Sequence, residues 1–337
     1  MHVHVAALVA ACALLACRPS SVGDAEAQGD VPWLDQEGSP AAVEALGRLA
    51  DTNPKAVAAL QERAKGAGVE AYIAAWGGVK RGSKWAGDLL HEGLQDPARA
   101  NDVASAVDGR DPMIAPFLPD AETSMVRIAA GGMTSSLAAV IAAAGAPARD
   151  MVVRRLTDKT TRGGMCGGIA SPAASPEARE ALRGVPTQSR DDAACVGAVV
   201  TLAQSDDAMM RWLAQAAEPG LLGAASRTTT MDCARLHRVW VDAIATREAS
   251  VAAALTVPLS QAVKRCPATM DGVLADAIKS RPDSLVAVVG ALDPFSPDDA
   301  ALKATCAALP TVAKGAAAPI VKERAADTIA HGCKGGT

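Results

Sequence analysis

Repeatedly along this chain a residue able to cap a helix is followed directly by proline, five such pairs being Ser39-Pro40, Asn53-Pro54, Asp96-Pro97, Ser175-Pro176 and Ser296-Pro297. A capping oxygen accepts from the first free amides of a helix. Proline loses nothing at the first helical position, because its missing N–H had no partner there. Each pair is therefore a helix start, and starts this frequent confine the chain to many short helices. The apolar spacing between them agrees. Val43, Leu46 and Leu49 fall on one face, as do Val57 with Leu60, Leu137 with Val140 and Ile141, Leu236 with Val239 and Trp240, and Leu285 with Val288 and Leu292. Helices of about 10–16 residues cannot bury such stripes alone and must stack on neighbours.

Composition strengthens the helical reading. Half of the residues are hydrophobic but only 2% are aromatic, and alanine, the best helix former, dominates the apolar set. Strands prefer valine, isoleucine, threonine and aromatics. The net charge is −4, from 33 basic and 37 acidic residues. They are mixed along the chain, which leaves no electrostatic footprint for nucleic acid.

The N-terminus carries the one specific motif. An uncharged run from Val5 to Leu15 ends in Leu14-Leu15-Ala16-Cys17, and polar, acidic residues follow from Ser20 to Asp30. A bilayer core takes roughly 20 helical residues; the run is shorter and has the length of a signal-peptide core. The segment resembles a bacterial lipoprotein signal peptide, with His2 and His4 where lysine or arginine is usual. The resemblance implies a signal peptide over 1–16, cleavage before Cys17 and a diacylglyceryl thioether on Cys17. It also implies a firm anchor, since two acyl chains hold a protein on a membrane where one is marginal. Arg18, not aspartate, follows the cysteine, which by the family's sorting pattern implies the outer membrane, facing the periplasm. Residues 18–32 have no apolar period, and 17–37 read as a lipidated N-terminus with a flexible tether.

Beyond Cys12 and Cys17, six cysteines remain, all after residue 160: Cys166, Cys195, Cys233, Cys266, Cys306 and Cys333. In an exported chain an even number reads as three disulfides. None lies in a Cys-x-x-Cys or beside histidine at metal spacing, so no metal and no cofactor is expected. An antiparallel pair of helices near 232–247 and 250–265 brings Cys233 to Cys266. Equivalent positions in helices of successive units join Cys166 to Cys195, and elimination leaves Cys306 with Cys333. A competing scheme links Cys195 with Cys233.

The cysteines fall 29, 38, 33, 40 and 27 residues apart, bracketing one two-helix unit. Neighbouring helices such as 40–50 and 54–65 have the size of antiparallel hairpins. Together these features resemble α-solenoids of the HEAT-repeat type, with units of roughly 40 residues. The resemblance implies an all-α, HEAT-like array over 38–337, cross-linked in its half from 160 onward. An irregular helical domain is the alternative.

No Ser/His/Asp or Cys/His constellation is visible, so no catalytic residue is assigned. His91, His237 and His331 are isolated. The run Gly163-Gly164-Met165-Cys166-Gly167-Gly168 lacks the Lys-Ser/Thr of a phosphate loop and reads as close helix packing. Asp191-Asp192, Asp206-Asp207 and Asp298-Asp299 sit at helix starts, where they favour the positive dipole end. The basic group Arg149, Arg154, Arg155, Lys159 and Arg162 is interrupted by Asp150 and Asp158 and reads as a solvated face. Tyr72, Trp76 and Trp85 lie beside Lys80, Arg81 and Lys84. This set is the first candidate for a partner-contact surface, or else fills a core short of large side chains.

The expectation for function is a non-enzymatic scaffold or protein-binding module, lipid-anchored in the bacterial envelope, with an envelope protein as partner. One rival is an enzyme converging on His237 and Arg238 or on residues 163–168. Another is a protein that holds a small ligand or peptidoglycan fragment between helices.

Overall fold

The computed structural model describes residues 19–66, 68–129, 131–132, 134–185, 193–245, 249–292, 301–315 and 317–333. They are helical throughout, with no strand among them. The all-α expectation holds. Cys17 and the signal segment lie outside the described residues, as do Ser296-Pro297, Asp191-Asp192 and Asp298-Asp299.

The chain divides into two compact units, with the boundary between Ala178 and Arg179. The first unit holds α1 (Val22–Gln28), α2 (Val31–Glu37), α3 (Pro40–Leu49), α4 (Pro54–Lys65), α5 (Glu70–Lys80) and α6 (Lys84–Gln95). It continues through α7 (Ala100–Ala106), α8 (Leu118–Ala129), α9 (Ser135–Ala143), α10 (Arg149–Thr157) and α11 (Lys159–Ile169). The boundary falls inside α12 (Pro176–Arg183).

Within this unit, helices pack in two alternating rows. One row runs α1, α3, α5, α7, α9, α11, each touching the next; α2, α4, α6 and α8 form the other. Sequence neighbours touch across the rows, and the core lies between them. Leu46, Leu60, Tyr72, Leu90, Met125, Leu137 and Ile141 are fully enclosed there.

The second unit holds α13 (Ala193–Ala203), α14 (Asp207–Ala216), α15 (Pro219–Arg227), α16 (Cys233–Ala245), α17 (Ala249–Ala254) and α18 (Thr256–Arg265). After these come α19 (Pro267–Ser280), α20 (Leu285–Ala291), α21 (Lys303–Lys314) and α22 (Pro319–Gly332). Its rows are α14–α16–α19–α21 and α13–α15–α18–α20–α22. Trp240, Leu222, Leu236, Leu259, Leu274 and Leu309 fill the space between.

Three of the five cap-proline pairs start helices as expected. Ser39 accepts from Ala42, Asn53 from Lys55, and Ser175 from Ala178. Asp96-Pro97 does not: Asp96 closes α6, its carboxylate takes the Ala98 amide, and a turn intervenes before α7. A capping side chain can equally fold a turn on itself.

The tether is a second correction. Residues 22–28 and 31–37 are helical, because Ser21 and Asp30 cap them and left-handed Gly29 and Gly38 end them. Ala25, Val31 and Leu34 are buried. Polar composition hid two short helices seated by only three buried apolar side chains.

Arginines tie the rows together at a regular interval. Arg81 donates to Gly47 O at 2.8 Å, Arg127 to Gln95 O at 3.2 Å, Arg265 to Ala225 O at 3.1 Å and Arg324 to Leu292 O at 3.2 Å. Arg281 reaches Ala245 O in the same way. Every acceptor lies in or just past the last turn of a helix, where the unpaired carbonyls and the negative dipole end favour a cation. The separations, 32–40 residues, match the interval read from the cysteines.

Two bridges lie inside the second unit. Cys233 joins Cys266 with Cα atoms 5.7 Å apart, and Cys306 joins Cys333 at 5.6 Å. The first pairing was expected for a reason that does not hold. The chain from 249 to 265 is two helices, α17 and α18, and neither packs on α16 as a hairpin partner. Cys266 is instead the residue before α19, which lies beside α16 in the same row. The bridge therefore links the starts of two row neighbours. The antiparallel argument applies to Cys306 and Cys333, at the first turn of α21 and the end of α22. Cys166 and Cys195 are both fully buried, in α11 and α13.

Candidate functional site

The aromatic-basic cluster of the first unit is interior at Tyr72 and Trp76 and exposed at Lys80, Arg81 and Lys84. Tyr72 is fully buried and donates its hydroxyl to Ala64 O at 3.1 Å. Trp76 is buried edge-on against Phe117, with the Lys80 ammonium 5.5 Å from its ring centre. Arg81 pairs with Asp51 at 2.7 Å, and the Trp85 indole donates to the same carboxylate at 3.0 Å. Lys80 reaches Asp111 at 3.1 Å, and only Lys84 of the six is left simply exposed. The two rings Tyr72 and Trp76 belong to the core, while Lys80, Arg81 and Lys84 stay at the surface. In a core built on alanine, the few rings go where volume is needed.

The other sequence candidates resolve as structure. Arg154 and Arg155 both pair with Glu122, and Arg162 is buried, donating to Leu156 O and Thr157 O across the α10–α11 turn. Arg149, Arg154 and Lys159 stay exposed, as read from the sequence, while Arg155 and Arg162 are drawn into bonds between elements. Asp206 caps α14, accepting from Ala208 and Met209. In α11 a Cβ on Gly168 would stand 2.6 Å from Ala138 O, and one on Gly164 would strike Thr134. These two glycines are one turn apart and let α9 and α11 approach, as expected of close packing.

His91 meets Asp120 at 2.6 Å and lies 4.5 Å, centre to centre, from the Phe117 ring. Gln95 donates to the other Asp120 oxygen at 3.3 Å. An Asp-oriented imidazole is half of a general-base arrangement. The nearest interactions around it are the rings of the core and Gln95, with no nucleophile among them.

An open site among the described residues lies in the second unit, across α14, α16 and α19. Two adjoining openings, of about 540 and 310 Å³, share His237 and Val241. Ile244, Val273 and Ala277 form an apolar floor, and Val241 is 43% exposed above it. Around the floor stand Asp207 and Arg211 on α14, Arg238 and Asp242 on α16, and Asp276 and Lys279 on α19. Asp207 is engaged by Arg235 at 3.1 Å. Arg211, Arg238, Asp242, Asp276 and Lys279 have no side-chain partner among the described residues. Arg281 closes one end while holding Ala245 O.

His237 was singled out in the sequence, but the groove around it was not. Each helix places opposite charges three or four residues apart, which in a lone helix reads as a surface ion pair. Only the row packing reveals that these pairs stay open and line one groove. A third opening, of about 380 Å³, is mainly apolar, with Arg324 at its wall. Val286, Val289, Ile320 and Val321 line it with Thr256, and Ile320 is 70% exposed.

No group of metal-ligating residues occurs among the described residues, and no described helix is long and apolar enough to cross a membrane. The chain matches no family model, no curated protein and no solved structure.

Proposed function

We propose that this chain is a lipid-anchored, non-enzymatic binding module of the bacterial envelope, built from HEAT-like helical repeats. Its α14–α16–α19 groove holds an extended segment of a partner protein. The observation that carries the reading is the groove's lining: unpaired charges of both signs around an apolar floor. A peptide offers side chains of both signs and apolar groups along one line, whereas a small anion or apolar ligand would use only part of it. Arginine in a partly desolvated groove is a frequent source of binding energy. The repeat reading is supported by the row packing and by arginine contacts at separations of 32–40 residues. The anchor is supported by the signal motif ending at Cys17.

The test is in-cell crosslinking followed by detergent extraction. The wild-type chain is expected to carry a reproducible crosslinked protein that R211E/R238E loses by tenfold or more. K84E serves as the control: Lys84 lines no part of the groove, and the variant should retain the partner. Equal recovery by all three chains would refute the groove as the binding site.

A further inference from the structure

We infer that in the anchored protein the α1–α2 end of the first unit rests directly on the bilayer, with Trp33 as its interfacial contact. The inference builds on the lipoprotein reading and goes beyond it, because it fixes which surface faces the lipid. The argument starts from the missing slack. Pro19 is already buried, and Ser21 caps α1 by accepting from the Asp24 amide at 3.1 Å. Two peptide units separate Cys17 from Pro19, at most about 7 Å of chain. A cysteine whose acyl chains are in the membrane therefore holds the folded body against the headgroups, with no room for a hydrated gap.

The surface at that end suits an interface more than its composition does. Residues 19–38 contain Asp24, Glu26, Asp30, Asp35 and Glu37 and no lysine or arginine. Four of these acids are occupied. Glu26 pairs with Arg48 at 2.6 Å and Asp35 with Arg63 at 2.7 Å; Asp24 accepts from Ser20, and Asp30 caps α2 by accepting from the Trp33 amide. Beside them Pro32 is exposed and the Trp33 ring is half-buried, on a short helix that α1, about 10 Å long, connects to the anchor. Tryptophan with an apolar body and a free polar edge is favoured at the membrane–water boundary. Charge does not draw this end to an anionic bilayer, so the acyl chains must hold it there.

The experiment uses the purified, detergent-extracted protein reconstituted into phosphatidylethanolamine–phosphatidylglycerol vesicles, with and without brominated acyl chains. Intact mass first reports whether Cys17 carries the diacylglyceryl group. The Trp33 signal is the difference between wild type and W33F. Brominated lipid is expected to quench at least half of that signal. A 20-residue Gly/Ser insertion between Arg18 and Pro19 should restore it, and C17S should not sediment with vesicles at all. An acylated, vesicle-bound chain whose Trp33 signal is neither quenched nor changed by the insertion would overturn the inference while leaving the lipoprotein reading intact. A chain without acyl groups would overturn both.

Discussion

Asp51 illustrates how single residues hold this fold together. Its carboxylate sits in the turn after α3 and receives Arg81, the Ser83 hydroxyl and the Trp85 indole from the α5–α6 turn. Burial by itself pushes the acid up, but the bonds from Arg81, Ser83 and Trp85 outweigh it and bring the pKa down to about 2. An unfolded aspartate titrates near 3.9. The carboxylate's contribution is therefore complete above pH 4 and is lost as pH falls through about 2. Near the surface the shift is screened, so about 1 kcal/mol is expected at pH 7. Urea midpoints of wild type and D51N should differ at pH 7 and converge toward pH 2; a gap that does not narrow would show that Asp51 acts by shape alone. The sequence does not show this cluster, because Asp51 lies 30 residues from Arg81 and nothing local joins them.

Packing between elements was legible where the pattern is local. Caps, prolines and apolar spacing placed most helices, and the glycines of α11 were read correctly as a close approach. Partner choice between helices was not legible: α18 was expected to fold back on α16 and packs instead on α15. The break at Leu255, which splits 249–265 into two helices, decides this; Pro258 in the first turn of α18 marks it, because its ring cannot follow a helix running unbroken from Ala254. The groove was hidden for the same reason, since it exists only where three non-sequential helices lie side by side. The α9–α11 contact can be tested directly. Gly168→Ala places a methyl on the Ala138 backbone, which cannot yield without separating the helices, and should cost about 2–3 kcal/mol. Gly167→Ala, one residue away, meets nothing within 4 Å and should stabilise by up to about 1 kcal/mol, as alanine does in helix interiors. Thermal unfolding of the two variants should move in opposite directions; a fall for both would mean that α11 is not seated as described.

At the scale of the molecule, the two units rely on different constraints. The first has rows of helices closed by arginine contacts and side-chain pairs. The second adds two bridges, closing separations of 33 and 27 residues. Each such loop contributes about 3–4 kcal/mol by restricting the unfolded chain. One bridge joins row neighbours α16 and α19, and the other staples the α21–α22 hairpin. Short helices open locally unless a neighbour or a cross-link holds them. Reduction should therefore be felt unevenly. After treatment with dithiothreitol, amide hydrogen exchange in α19–α22 should accelerate by roughly a hundredfold, the equivalent of losing about 3 kcal/mol. Exchange in α1–α7, which contain no cysteine, should change by less than threefold. Equal acceleration in α1–α7 and α19–α22 would mean that the bridges stabilise the molecule as one cooperative block.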